Sequence, residues 1–162
     1  SSGYSLWLFT PATLGCSGEH FGKPYPYHKR KISVFGGSQL RPNIHIADMV
    51  EIYVVLINAP KEKIAGEIFN GGYENHSVLQ LAETVREVIG EDVLLKTIPT
   101  DDNRSYHVSS KKIAQVLGFT ASHTIKDAVS GLRDAFDKGL LPNSLEDERY
   151  FNIKRMQSLN LQ

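Results

Sequence analysis

The most tightly specified stretch of this 162-residue chain is residues 77–90. Ser77 supplies an N-cap oxygen, and Gln80, three residues on, completes a capping box. Val78, Leu81, Ala82, Val85, Val88 and Ile89 then recur at helical spacing until Gly90 stops the run. Such a helix has one apolar face and needs a surface to bury it against. Short apolar runs around it offer that surface. Residues 93–98, ended by Pro99, read as a strand, and so do residues 32–35, before the Gly36-Gly37 turn. Residues 43–46 are brief and β-prone. Residues 67–69 read as a strand before the Asn70-Gly71-Gly72 turn. Residues 4–9 (Tyr-Ser-Leu-Trp-Leu-Phe), stopped by Thr10-Pro11, read as a further, buried strand.

Three more helices are expected. From Ala47 the apolar positions Met49, Val50, Tyr53, Val54, Leu56 and Ile57 occupy most of a helical surface. That helix is predicted to be buried all round, with Asp48 in its first turn and Pro60 beyond its end. Ser109 or Ser110 opens a short helix through Leu117, and Thr124 opens an amphipathic one closing at Gly139. Residues 15–30 hold three glycines, two prolines and two histidines without periodicity, and are expected to be loop. The tail from Leu140 is polar and weakly patterned. Strands interspersed with helices make an α/β or α+β domain.

Composition narrows the function classes. With 41% hydrophobic residues the chain can bury a core. Its 18 basic residues balance 18 acidic ones, so nothing steers it toward nucleic acid or an anionic membrane, and neither partner is expected. No apolar run approaches the ~20 residues that span a bilayer. A lone cysteine, Cys16, excludes an internal disulfide and fits a reducing, cytoplasmic setting. The chain opens at Ser1 with neither an initiator Met nor an export pattern, and is expected to be a piece of something longer.

Few motifs carry chemistry. No Gly-x-Gly-x-x-Gly occurs; Gly18-Glu-His-Phe-Gly22-Lys23 has one residue too few between its glycines for a phosphate loop, and Pro24 stands where Ser or Thr is needed. The six histidines are scattered without metal-ligand spacing, so no metal is expected. His45 with Asp48 three residues on reads as a structural histidine beside a helix-start aspartate. Cys16 reads as a bystander thiol. Two arginines stand out: Arg41, after the Gly36-Gly37 turn, and Arg104, after Asp101-Asp102-Asn103. Guanidinium groups on loops at strand ends suit a phosphate or diphosphate, gripped bidentately. Solvated loop arginines, or partners for Asp101 and Asp102, are the other reading.

Taken in order, these segments resemble a family. Phe9-Thr-Pro-Ala-Thr-Leu-Gly15 resembles the Arg-Pro-Ala-Thr-Val-Tyr-Gly segment of the extended short-chain dehydrogenase/reductases, the NAD-dependent sugar-nucleotide epimerases and dehydratases. Ile32-Ser-Val-Phe-Gly-Gly-Ser-Gln-Leu-Arg-Pro-Asn-Ile-His-Ile-Ala-Asp48 is similar to the family's Gly-Gln-x-Arg-x-(aromatic)-Ile-His-Val-x-Asp block. Glu67-Ile-Phe-Asn-Gly-Gly, Asp102-Asn-Arg-Ser-Tyr, Ser110-Lys-Lys-Ile, Leu117-Gly-Phe and the helix from Thr124 continue the resemblance in the family's order, so the likeness runs from about Ser5 to Gly139.

The resemblance implies an α/β fold: the C-terminal substrate-binding lobe of such an enzyme, with a remnant strand of the Rossmann sheet. Residues 1–15 would be the last strand of a truncated Rossmann domain, 16–31 a shortened loop, 32–139 the sugar-nucleotide-binding lobe and 140–162 a tail. Arg41 and Arg104 would grip the diphosphate of a nucleotide-sugar ligand. Pro11, Ala12 and Thr13 would lie near the nicotinamide end of an NAD site, and Asp48 and Asn70 would be structural. The family's glycine loop and helical Tyr-x-x-x-Lys lie upstream of its Pro-Ala-Thr segment, so no catalytic residue is assigned. Tyr25 and Lys29 share that spacing, but Pro26 between them disfavours a helix through the pair. The chain is expected to be inactive by itself and to lack a Rossmann half as partner. A stand-alone nucleotide-sugar-binding or interaction module that has lost catalysis is the alternative.

Overall fold

The Ser77 box closes as the sequence predicts in the computed structural model, which describes residues 25–101, 104–147, 150, 155–156 and 158–159. Ser77 Oγ accepts from the Gln80 N–H at 3.1 Å, and Gln80 Oε1 accepts from the Ser77 N–H at 2.8 Å. Helix α4 (Val78–Ile89) follows and buries Val78, Leu81, Ala82, Val85 and Val88. Beneath it lie β1 (Lys31–Phe35) and β4 (Leu94–Ile98), paired in parallel with Lys31 opposite Leu94 and Phe35 opposite Ile98. Helix α6 (Ile125–Asp137) packs beside α4 and adds Ile125 and Val129 to the same core. It too starts with a capping box, between Thr124 and Asp127; sequence reading found the Thr124 start but not Asp127 as its partner.

A second sheet pairs β2 (Leu40–Asn43) with β3 (Glu74–Ser77), antiparallel, with Arg41 opposite His76. Two strand expectations shift here. The strand expected at 43–46 ends at Asn43 instead, because His45 already caps the next helix: its Nδ1 accepts from the Ala47 N–H at 3.1 Å. The strand expected at 67–69 does not form. Phe69 turns into an apolar cluster while Ile68 faces solvent, and the Ile68 carbonyl is taken by Lys112 Nζ at 2.9 Å rather than by a strand.

Helix α2 (Ile46–Asn58) departs most from expectation. Only Asp48 and Ile52 are buried, whereas burial all round was predicted. Its inner side, with Ile52, Val55 and Leu56, meets Ile113 of α5 (Lys111–Leu117) together with Phe69, Phe119 and Ala121. Gly71 crosses so close that a Cβ there would stand 2.8 Å from Ile52 Cδ1. Val50, Tyr53, Val54 and Ile57 face outward. A further correction concerns the stretch read as loop. Tyr25–Lys29 is a short helix, α1, despite Pro26. The proline stands in the first turn of the described helix, where no intrahelical amide donor is required.

Candidate functional site

Arg41 sits in the middle of β2, 3% exposed. The turn leading to it is stitched by Gln39, whose Oε1 accepts from the Gly37 N–H at 2.6 Å and whose Nε2 donates to the Phe35 carbonyl at 2.9 Å. Gly36, at φ +74°, leaves room for that side chain: a Cβ would lie 2.7 Å from Gln39 Nε2. Thus the Gly-Gly-Ser-Gln-Leu-Arg sequence acts as one folded unit that delivers Arg41 into its strand.

The segment carrying Arg104 lies alongside. Leu40 N–H donates to Ser105 Oγ at 2.9 Å, and the Tyr106 N–H donates to the Leu40 carbonyl at 3.1 Å. Further along, the Asn75 side-chain amide takes both backbone groups of Val108, at 2.9 and 3.0 Å, imitating a strand partner. Ser110 Oγ bonds both the N–H and the carbonyl of Gly72. These pins fix residues 104–110 along the β2–β3 sheet without making them a strand.

Arg41 Nη1 completes the arrangement, donating to its neighbour's Leu40 carbonyl at 2.9 Å and to the Arg104 carbonyl at 2.5 Å. Its guanidinium carbon stands 5.5 Å from the Tyr106 ring centre. The two arginines singled out in the sequence, 63 positions apart, are therefore joined directly, through the side chain of one and the main chain of the other. Arg41 is buried and braced; the Arg104 residue is exposed. The Arg41 guanidinium thus fixes the main chain of Arg104, whose own exposed side chain is a planar donor of the kind that binds anions. Pro11, Ala12 and Thr13 lie outside the described residues, as do the apolar run at residues 4–9 and Cys16.

A second polar cluster, missed in the sequence, joins the start of α2 to the start of α6. Asp48, fully buried, accepts from His123 Nδ1 at 2.8 Å, from the backbone N–H groups of His123 and Ser122 at 3.0 and 3.2 Å, and from Ser122 Oγ at 3.3 Å. Burial pushes this carboxyl up, but the hydrogen bonds from His123 and Ser122 outweigh it and hold it below the usual carboxylate value. The bond to Asp48 and that carboxylate's charge raise His123 above an ordinary histidine. The His45 ring stacks on His123 with centroids 4.7 Å apart, and burial, then the charge of His123, lower its affinity for a proton. Sequence reading placed Asp48 as structural and His45 beside it; His123, 75 residues away, carried no local signal. Asn70, expected to be structural, lies exposed. Among the described residues no cluster has the make-up of a metal site, and no helix is long and apolar enough to cross a membrane.

This α/β arrangement, with its short parallel sheet, matches part of the fold shared by a set of dehydrogenases and nucleotide-sugar epimerases. No family model matches the sequence, and no curated protein does. L-threonine dehydrogenase from Phytophthora infestans superposes with a TM-score of 0.62 at 11% identity, over 71% of this chain and 39% of that one. UDP-glucose 4-epimerase from Thermotoga maritima, solved with UDP-glucose, gives 0.60 at 21% identity, over 71% and 38%. UDP-glucose 4-epimerase from Bifidobacterium longum, solved with NAD+ and UDP, gives 0.57 at 20% identity, over 74% and 40%. The chain thus spans about two fifths of the length of these structures.

Proposed function

We propose that this chain is the substrate-binding lobe of an NAD-dependent nucleotide-sugar epimerase or dehydratase, in which Arg41 and Arg104 grip the substrate diphosphate. The observation that carries this reading is the 2.5 Å bond from Arg41 to the Arg104 carbonyl, which holds two guanidinium-bearing residues at one place on the β2 edge. The fold likeness to epimerases solved with UDP-glucose and with UDP supports the choice of ligand. In this reading residues 32–139 are the lobe, residues 1–15 the last strand of a nucleotide-binding domain, 16–31 a shortened loop and 140–162 a tail. Pro11, Ala12 and Thr13 approach the nicotinamide end of NAD. The sequence contains no glycine-rich cradle for the cofactor's diphosphate, so no step of chemistry is assigned to this chain, and it has no redox activity alone.

Calorimetric titration of the purified chain with UDP, UDP-glucose and L-threonine, without NAD, tests the reading. Both uridine ligands should bind and threonine should not. Because Arg104 is on the surface, Arg104→Ala should leave the fold intact and weaken UDP binding about tenfold or more, the range for a lost charge-assisted hydrogen bond. Equal affinity in that variant, or no uridine binding at all, would overturn the clamp. Sustained NAD reduction by the chain with any sugar nucleotide would overturn its inactivity.

A further inference from the structure

We propose that Asn70 is a site of spontaneous chemical modification: its side-chain amide is lost to attack by the main-chain nitrogen of Gly71, and the isoaspartate that forms loosens the inner side of α2. The chemistry asks three things of a folded chain, and the Asn70-Gly71 pair meets each. The residue after the asparagine must not shield its own nitrogen, and Gly71 has no Cβ. The asparagine side chain must be free to swing onto that nitrogen. Asn70 is exposed, outside helix and strand, and its amide holds no hydrogen bond among the described residues. The nitrogen itself must not be engaged. Among the described residues the Gly71 N–H donates to nothing, whereas the next two, of Gly72 and Tyr73, donate to Ser110 Oγ and the Asn43 carbonyl. Other asparagines fail one requirement or another. Asn43, Asn58 and Asn75 commit their side-chain amides to the carbonyls of Arg41, Val54 and Val108. Asn143 is exposed, but Ser144 follows it, with a Cβ that crowds the nitrogen.

In the reaction the Gly71 nitrogen bonds to Asn70 Cγ, and its proton leaves with the side-chain nitrogen as ammonia, closing a five-membered imide. Water then opens the ring. Opening at Cγ leaves aspartate. Opening at the main-chain carbonyl of residue 70 frees that carbonyl as a carboxylate and routes the chain through Cβ, which is isoaspartate. The main chain is then longer by one carbon, between two fixed stretches. On one side Phe69 sits in the α2–α5 cluster and Lys112 Nζ holds the Ile68 carbonyl. On the other, Ser110 Oγ holds both main-chain groups of Gly72. Gly71 lies between them, so close to Ile52 that a Cβ would already meet Cδ1 at 2.8 Å. A close-packed interior takes in an extra atom only by moving something, and Ile52 is the one buried apolar side chain of α2. The inference is independent of the ligand reading: a chain that binds no nucleotide would still show it.

The purified full chain is kept in mildly alkaline buffer, folded or in urea, and each asparagine is followed by peptide mapping that separates aspartate from isoaspartate. In the folded chain Asn70 should convert faster than every other described asparagine, and within a few-fold of its own rate in urea. Asn70→Gln, whose longer side chain closes the imide far less readily, should stay intact. Hydrogen exchange then compares the aged chain with fresh Asn70→Asp, which carries the charge without the extra main-chain carbon. Amides of α2 should lose protection in the first and keep it in the second, with α4 unchanged in both. An Asn70 that converts in urea but stays intact in the folded chain overturns the site. Isoaspartate at position 70 that leaves α2 protected overturns its effect on the helix, and so does an equal loss in Asn70→Asp, which would trace that effect to charge alone.

Discussion

Helices α4 and α2 are of nearly equal length, 12 and 13 residues, and meet their surroundings in opposite ways. Five apolar side chains of α4 are buried against the parallel sheet and α6, and much of its other side is polar: Gln80, Glu83, Thr84 and Glu87. By contrast, α2 buries one apolar side chain, Ile52, and one carboxylate, Asp48, and turns four apolar groups outward. An amphipathic sequence needs one partner; a helix apolar on two sides is written for two. Around α4 the apolar face of the helix meets the parallel sheet and α6. The region around α2 is half of a core, fastened on its inner side by a polar lock as much as by packing.

Removing apolar volume should therefore hurt most on the α4 side. Leu81 is fully buried in the larger cluster, and Leu81→Ala should lower the unfolding free energy by about 3 kcal/mol, measured by urea denaturation. A loss under about 1 kcal/mol would mean that this core is not as closely packed as its burial indicates. Asp48→Ala attacks the α2 side by a different route, stranding the N–H groups of Ser122 and His123, and should cost about 2 kcal/mol. Hydrogen exchange separates the two regions: α2 amides should lose protection in Asp48→Ala while those of α4 keep theirs. If α4 opens equally, the molecule is one cooperative unit and the contrast fails. Ser77→Ala, which removes one arm of the capping box of α4, should cost about 1 kcal/mol, read from the same denaturation curves.

The same contrast decides how much could be read from the sequence. Around α4 every signal was local. The Ser77 and Gln80 pair, the helical spacing and Gly90 all lie within 14 residues, and strands 31–35 and 94–98 carried their own apolar runs. Around α2 the same rules erred. An all-apolar surface predicts burial only if something lies on each side, and periodicity does not count partners. The run at 67–69 had strand composition, but a strand needs a neighbour, and Phe69 found the α2–α5 cluster instead. Pro26 was read as a barrier to a helix because its place within the first turn is invisible until the helix is. Of the candidate site, Arg41 and Arg104 stood out in the sequence through their contexts, as residues proposed to bind together. Their joining by a side-chain-to-backbone bond was not legible there, and neither was the role of His123, since each depends on contacts more than 60 residues apart in the chain.

The smallest effect expected is also the most specific to the lock. His123 binds its proton more tightly in the folded chain than the ordinary value of 6.5, because Asp48, then Asp127 and Glu51, favour the charged ring. Its stabilising contribution is thus complete below 6.5 and fades as pH rises through the raised folded value. Asp48, held below its ordinary 3.8, contributes above that value and is lost as pH falls through its lowered one. The lock is strongest between these limits, in mildly acidic solution. His45 runs the other way: burial and the neighbouring His123 resist its protonation, so its contribution weakens as pH drops below 6.5. A raw stability curve mixes the two histidines; the difference between the native chain and His123→Asn removes the part of the His45 effect that comes from its burial, the larger cause. The advantage of the native chain in Tm should be larger at about pH 6 than at about pH 8, with α2 amide protection following it and α4 protection unchanged. A difference that stays level across that range would show that Asp48 is satisfied by the Ser122 and His123 backbone alone, leaving α2 fastened by main-chain bonds that no proton can loosen.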